Sequence, residues 1–404
     1  MSTRRPRSLT GSTISLPTDT VHRGRRRAAR SVVVLAGVAL LAAACGSSKA
    51  PPSSSPSTSP STTSAVSLSS LENWPTTAVS LQETGSSLLF PLFNLWVQQI
   101  AKDWPSVTVQ TASTGSGAGV TAAETGTANI GASDAYLAPA AVQQYPDLEN
   151  IPLAISAQQV SYNIPGLSAI THVKLSGKVL AGIYQGTITN WDNAKITALN
   201  PGVKIPSLTI VPIHRVESSG DTFLFTSFLS ASDPSGWTIA PDTTVTWPNV
   251  PGALTAMGNG GMVTTCQNTP GCVAYIGISY LKQATTAGLG YAALQNKAGH
   301  FEAPSPASIT AEADSFTAST PSSGTVSMIY GSQSDGYPIV NYEYAIVPTK
   351  QPSALAAQAV KAVLAWAIDP TGGAASTYLG QVGFVALPTA VQSISTRLIS
   401  KVSS

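Results

Sequence analysis

The chain is predicted to fold as an α/β protein with two domains. Three observations lead there. Its 404 residues, 43% of them hydrophobic, can bury a large core, which excludes disorder over the whole chain. Past Trp74, short β-patterned runs alternate with helical ones. A unit of strand, small polar loop and helix or turn recurs four times along the chain.

The first strand is AVSLQ (78–82), followed by TGSS and a helix from about Leu88 to Trp104. Leu89, Leu92, Phe93, Trp96, Val97 and Ile100 recur there at three and four, and Pro91 suits a first turn. SVTVQTA (106–112) reads as a strand, TGSGAG (114–119) as a loop, and a short helix continues through Ala123. ANIGA is a strand ending at Ser133 and Asp134. SLTIVPIHR (207–215) is a strand, VESSG (216–220) a loop and DTFLFTSFL (221–229) a helix. QQVSYNIPG (158–166) and NYEYAIVP (341–348) are also β-patterned.

Residues 23–30 are Arg-rich, residues 31–44 are uncharged and mostly apolar, and Cys45 follows three alanines. That order reads as a signal peptide over residues 1–44. Fourteen helical residues rise about 21 Å, short of a hydrocarbon core of roughly 30 Å, so a permanent span is disfavoured. Cys45 after Ala42, Ala43 and Ala44 resembles the lipobox of bacterial lipoproteins, although Leu41 stands four positions before the cysteine where Leu at three is usual. An ordinary cleaved signal and an uncleaved anchor are the alternatives. The resemblance implies that Cys45 is acylated and holds the protein on the outer face of the cell membrane. Residues 45–74 then read as a tether, since most of that stretch is Ser, Thr and Pro with too little to bury.

Eight of the 21 basic residues and one of the 19 acidic residues precede Cys45, which leaves 13 against 18, a net −5 on the rest. Charged residues are only 10% of the chain and no basic block lies beyond position 30, which argues against nucleic acid as a partner. If Cys45 carries lipid, Cys266 and Cys272 remain, an even number in an oxidising compartment. They flank a Pro-Gly turn, and a disulfide between them would contribute about 2 kcal/mol. Metal binding is the competing reading, weakened because the nearest histidine is His300.

In open α/β sheets ligands bind beyond the carboxyl ends of strands, where small residues let backbone approach and helix N-termini point N–H groups outward. Four such ends would make an anion cage. No single loop carries this: TGSGAG lacks the Lys-Ser/Thr of a nucleotide loop and has the wrong spacing for a dinucleotide fingerprint. Arg215 adds weight, because only it and Arg397 follow Cys45, and it stands at a strand end beside a Gly-Ser helix start. A guanidinium there suits bidentate recognition of an oxyanion, with Glu217 placed to orient it.

TGSSLLFPLFNLW, STGSGAG, GASDAYL, HRVESSGDTFLFTSFL, GNGGMVTTCQNTPGCVAYIGISYL and YPIVNYEYAIV, in order from about residue 76, resemble the phosphate-binding protein (PstS type) of the phosphate-specific ABC transporter, in its actinobacterial lipoprotein branch. The resemblance implies a periplasmic-binding-protein-like fold of type II: two α/β lobes joined by two crossing strands, with a ligand cleft between them. Lobe I would be 75–160 plus 345–404 and lobe II 161–344, crossing at the two β-patterned segments named above.

The family's inorganic phosphate contacts map onto Ser87, or Ser86 if the register slips by one, with the Leu88 backbone N–H, Ser116 and Asp134. On the second lobe they map onto Arg215, Ser219 and Gly220, with Glu217 holding the arginine. Asp221 stands where many members have Thr, so it either accepts from ligand or caps the helix. The resemblance further implies no cofactor, no metal, no catalytic residue, a monomer, and ABC permease subunits as partners.

A carboxylate fits such a site because phosphate near pH 7 keeps a proton and sulfate does not. Asp134 can accept from that proton, whereas sulfate would face it as an unpaired like charge, consistent with roughly thousandfold discrimination. If Asp221 also accepts, binding should weaken as pH rises.

Hydrolase readings fare poorly. There is no Gly-x-Ser-x-Gly elbow, and strand alternation sends His214 and Arg215 to opposite faces. Trp191, Trp237, Trp247 and Trp366 read as core or lobe surface.

Overall fold

The structure is a computed structural model that describes residues 66–167 and 171–404. The signal peptide and Cys45 lie outside the described residues. In chain order the elements begin with α1 (Leu68–Leu71), β1 (Val79–Gly85), α2 (Phe90–Asp103), β2 (Val107–Gln110), α3 (Ser116–Glu124), β3 (Ile130–Ser133), α4 (Pro139–Gln144) and β4 (Leu148–Tyr162). Then come β5 (Lys174–Leu175), α5 (Gly177–Tyr184), α6 (Ala194–Thr197), β6 (Val211–Arg215), α7 (Gly220–Ser232), β7 (Leu254–Ala256), α8 (Gly258–Gln267) and β8 (Cys272–Gly277). The chain closes with α9 (Leu281–Thr286), β9 (Gly290–Tyr291), β10 (Ala293–Gln295), β11 (Phe301–Glu302), α10 (Pro306–Thr317), β12 (Val340–Pro348), α11 (Ala354–Ile368), α12 (Ser376–Leu379) and α13 (Thr389–Ser400).

The main sheet runs β2-β1-β3-β12-β4-β8-β6-β7, with β9 also on β4. Both flanks are parallel, β2-β1-β3 on one side and β8-β6-β7 on the other. The two flanks are joined through antiparallel β12 and β4. Residues 148–157 of β4 pair with β12, and residues 158–162 pair with β8. One strand therefore serves both flanks, which explains why almost all of it is buried: a strand covered on both faces carries a continuous rather than an alternating apolar pattern. Sequence reading began this crossing at 158; the structure begins it ten residues earlier.

Helix α2 buries Leu92, Phe93, Trp96 and Ile100, the stripe its spacing predicts. Trp96 Nε1 donates to the Gly373 carbonyl at 2.9 Å, so a bulky anchor also satisfies its polar edge. Trp191, Trp237 and Trp366 are buried. His214 is half-exposed and stacks on Trp247 at 4.9 Å, while Arg215 points inward, as strand alternation requires.

Three expectations need correction. The tether does not extend to residue 74: Ser67 caps α1, Leu68 and Leu71 pack on the core, and Trp74 stacks on Trp104 at 3.8 Å. These apolar side chains give the segment something to bury, unlike the Ser/Thr/Pro run before it. The TGSGAG loop ends at Gly115, whose φ of +93° breaks the chain, and Ser116 opens α3. The 207–215 strand joins the sheet only from Val211, because Leu208 and Ile210 bond instead to Trp191 and Thr189.

Cys266 at the end of α8 and Cys272 at the start of β8 form a disulfide, Cα–Cα 5.4 Å, which decides between the two readings of that pair. It staples a six-residue separation and pins a helix end to the strand beside Arg215's own.

Glu83 on β1 is buried, with Thr111 Oγ1 donating to it. Burial pushes its carboxyl up to about 8, against smaller lowering by Thr111 and the Ala112 backbone. Between the ordinary glutamate range and about 8 the folded state holds a proton the unfolded state has lost, so stability falls as pH rises through that window. Denaturant unfolding of the protein is expected to lose a few kcal/mol between pH 5 and 8, and Glu83→Gln to flatten that slope. An unchanged slope in the variant would rule Glu83 out as its source.

Candidate anion-binding site

The loops at the carboxyl ends of β1, β2, β3, β6 and β7 converge at the junction of the two flanks. Gly85 ends β1 at φ +143°, and a Cβ there would lie 2.1 Å from the Ala132 carbonyl, so only glycine lets the first loop cross β3. That crossing puts Ser86 against Asp134: Ser86 Oγ donates to Asp134 Oδ1 and accepts from the Leu89 N–H at 2.9 Å. Ser116, in the first turn of α3, reaches Asp134 Oδ2 at 3.3 Å. Asp134 is 2% exposed.

From the other flank, Arg215 ends β6 and is 4% exposed. Two carboxylates fix its plane. Glu217 Oε1 accepts from Nε at 2.7 Å and also from Nη2, and Asp221 Oδ2 accepts from Nη1 at 2.7 Å. Glu217 is itself held by the Gly258 N–H at 2.9 Å. The remaining donor direction of Nη2 reaches Ser87 Oγ at 3.1 Å, across the junction. Ser87 Oγ also receives Asn259 Nδ2 at 2.9 Å and its backbone N–H at 3.1 Å, which leaves the Ser87 hydroxyl proton free to donate elsewhere.

Gly220 opens α7 against the first flank: a Cβ there would lie 2.6 Å from Asp134 Oδ2 and 2.8 Å from Ser116 Oγ. Ser219, just before it, is buried and its hydroxyl has no protein partner. Leu88 precedes α2 with its side chain buried and its carbonyl accepting from Ser279 Oγ at 2.7 Å. Asp221 does not cap α7. It lies inside the first turn, and its oxygens accept from Arg215, from Asn259 Nδ2 at 2.7 Å and from Gln158 Nε2 at 3.0 Å. It thus orients the guanidinium together with Glu217. Among the described residues no cluster of three or more His, Cys, Asp or Glu could hold a metal.

The model of the PBP superfamily domain matches residues 70–371. The Methanocaldococcus jannaschii phosphate-binding protein PstS is 31% identical over 81% of this chain and 87% of its own length. The chain belongs to the PstS family. The Mycobacterium tuberculosis phosphate-binding protein PstS 2 is 30% identical over 77% of this chain and 84% of its own. The crystal structure of a phosphate-binding protein from Stenotrophomonas maltophilia shares the fold at a TM-score of 0.62 and 19% identity, over 79% of this chain and 94% of that one. The fold is accordingly the periplasmic-binding-protein-like α/β architecture.

In this PstS-family chain the site's charges are strongly interdependent. Burial, then the nearby Asp221 charge, pushes Asp134 up to about 7, while Ser86, Glu343 and Arg215 pull it down. Burial works against the charge on Arg215, but Asp221 and Glu217 outweigh it and raise the group further. Burial would also raise Glu217, yet the Arg215 hydrogen bond and charge hold it below the usual carboxylate range. The arginine is therefore permanently charged, and the proton balance of Asp134 is set by burial and Asp221 on one side and by Ser86, Glu343 and Arg215 on the other.

Sequence reasoning missed Asn259, Gln158 and Glu343. Asn259 lies in the first turn of α8, just after β7, in a fifth copy of the strand, small loop and helix unit. Glu343 is the one carboxylate in the apolar and aromatic β12, a signal visible in NYEYAIVP.

Proposed function

We propose that this chain is an extracytoplasmic solute-binding lipoprotein that captures inorganic phosphate and delivers it to an ABC permease for import, binding without catalysis. The observation that carries the reading is the buried, unpartnered Ser219 hydroxyl next to Gly220, which abuts Asp134 and Ser116, together with a buried arginine clamped by two carboxylates. Orphaned buried hydroxyls are uncommon, and one in a ring of donors suits a ligand oxygen. Ser87, the Leu88 N–H, Ser116, Ser219, the Gly220 N–H and Arg215 donate, and Asp134 accepts the proton that the anion keeps. Asp221, with its oxygens engaged by protein, orients the arginine rather than reading a second ligand proton. One ligand proton is then enough, and phosphate affinity should not weaken from pH 7 to 9, in which range Asp134 moves toward its accepting form.

The same reading divides the chain into lobe I, 75–160 plus 345–404, and lobe II, 161–344, with β4 and β12 as crossings; the split pairing of β4 supports it. Donors on both lobes mean that ligand favours the closed arrangement over an open one. Acylated Cys45 would hold the monomer at the outer face of the membrane beside its permease.

Calorimetric titration of the protein lacking residues 1–44 tests this. One phosphate should bind per chain, with sulfate roughly a thousandfold weaker. Equal affinity for both anions would make this a general oxyanion receptor instead, and hydrolysis of a phosphoester would make it an enzyme.

A further inference from the structure

Beside Asp134 lies a second buried carboxyl. Glu343 on β12 is fully buried. Its neighbour Tyr344 pairs with Ser133, the residue before Asp134. A register shift between Glu343 and Tyr344, opposite Pro152 and Ala154 of β4, interrupts the ladder at this point. Bulges of this kind re-aim side chains. Glu343 Oε1 lies 2.6 Å from Ser156 Oγ and 2.9 Å from Asn341 Nδ2. Oε2 receives no donor from the protein, and the side chain is within hydrogen-bonding reach of the Asp134 carboxyl. Asn341 Nδ2 also reaches the Asp134 carbonyl at 3.2 Å.

Two carboxylates in contact in a dry site cannot both stay ionised. The surroundings decide which one keeps the proton. Asp134 receives the Ser86 and Ser116 hydroxyls and feels Arg215 on β6, with Asp221 on α7 opposing. Glu343 faces Ser156 on β4, Asn341 on its own strand and the Asp134 carboxyl, and among the described residues no basic side chain acts on it. Burial and the Asp134 charge accordingly push Glu343 far above the usual range.

Resting on the phosphate reading above, we propose that Glu343 is a positioning residue for anion selectivity: it holds a proton, donates it in a hydrogen bond to Asp134, and so keeps Asp134 an ionised acceptor. Without that donor, Asp134 would hold its own proton at neutral pH. It could then donate to sulfate and would no longer repel it. Glutamine at 343 can still donate through its amide, whereas leucine cannot.

The test is phosphate and sulfate titration of the wild-type protein, Glu343→Gln and Glu343→Leu from pH 6 to 9. Glu343→Leu is expected to shrink the phosphate preference at pH 7 by roughly tenfold or more and to regain it as pH rises and Asp134 ionises. Glu343→Gln is expected to stay within about threefold of wild type at pH 7. A Glu343→Leu protein with the wild-type preference and pH profile, or a Glu343→Gln protein as impaired as Glu343→Leu, overturns the inference. Failure of the wild-type protein to prefer phosphate would instead sink the phosphate reading itself. Infrared difference spectra of wild type against Glu343→Gln at pH 7 do not depend on the leucine variant folding. Loss of a protonated-carboxyl band supports the proposal, and loss of a carboxylate band contradicts it.

Discussion

Arg215→Ala is expected to reduce phosphate binding below detection. The guanidinium supplies the site's positive charge, and its removal leaves Glu217 and Asp221 facing each other without a cation in a largely dry junction. Breaking a buried pair in this way costs on the order of 3–5 kcal/mol, and an anion would then have to enter against those two charges and Asp134. The cost falls on both stability and affinity, so the thermal midpoint should drop together with the calorimetric signal. Arg215→Lys is not expected to rescue binding. One ammonium cannot reproduce the fork that meets Glu217 through Nε, Asp221 through Nη1 and Ser87 through Nη2. Phosphate binding by Arg215→Ala within about tenfold of wild type would show that the amide and hydroxyl donors suffice without it.

Asp134→Asn is expected to act on selectivity more than on affinity. At pH 8 phosphate and sulfate are both dianions of nearly the same shape, and phosphate alone carries a proton. An ionised Asp134 accepts that proton but meets a bare sulfate oxygen as a like charge. Asparagine presents either an amide donor or a carbonyl, so sulfate gains a hydrogen bond while phosphate loses a charge-assisted one. Competition calorimetry at pH 8 should show the gap falling from roughly a thousandfold to about tenfold, mostly by a gain for sulfate. An unchanged gap would mean that the carboxylate does not sort the anions.

Much of this architecture was legible in the residues. Strand, small loop and helix recur where β1, β3 and β6 meet their loops, because each flank is parallel and exposes its carboxyl ends on the side of the site. The scarcity of arginine marked Arg215, and the Gly-Ser pairs marked the loops around it. Register within those loops was harder. Ser86 and Ser87 are adjacent and chemically identical, and only the Gly85 crossing over β3 sends the first to Asp134 and the second to Arg215. The task of Asp221 was not readable either, since its partners Gln158 and Asn259 are 63 and 38 residues away. Glu343 was hidden for a related reason: nothing local to β12 says that its carboxyl meets another one across the sheet.

The proton count of binding tests the central claim most directly. Phosphate titrated into the wild-type protein at pH 8, in buffers of different ionisation enthalpy, reports how many protons the reaction takes up or releases. An ionised Asp134 meeting singly protonated phosphate should exchange close to none. Uptake of about one proton per phosphate would mean that a second proton enters the site, on Asp134 or on the anion, and the account in which one ligand proton meets an ionised Asp134 would be wrong.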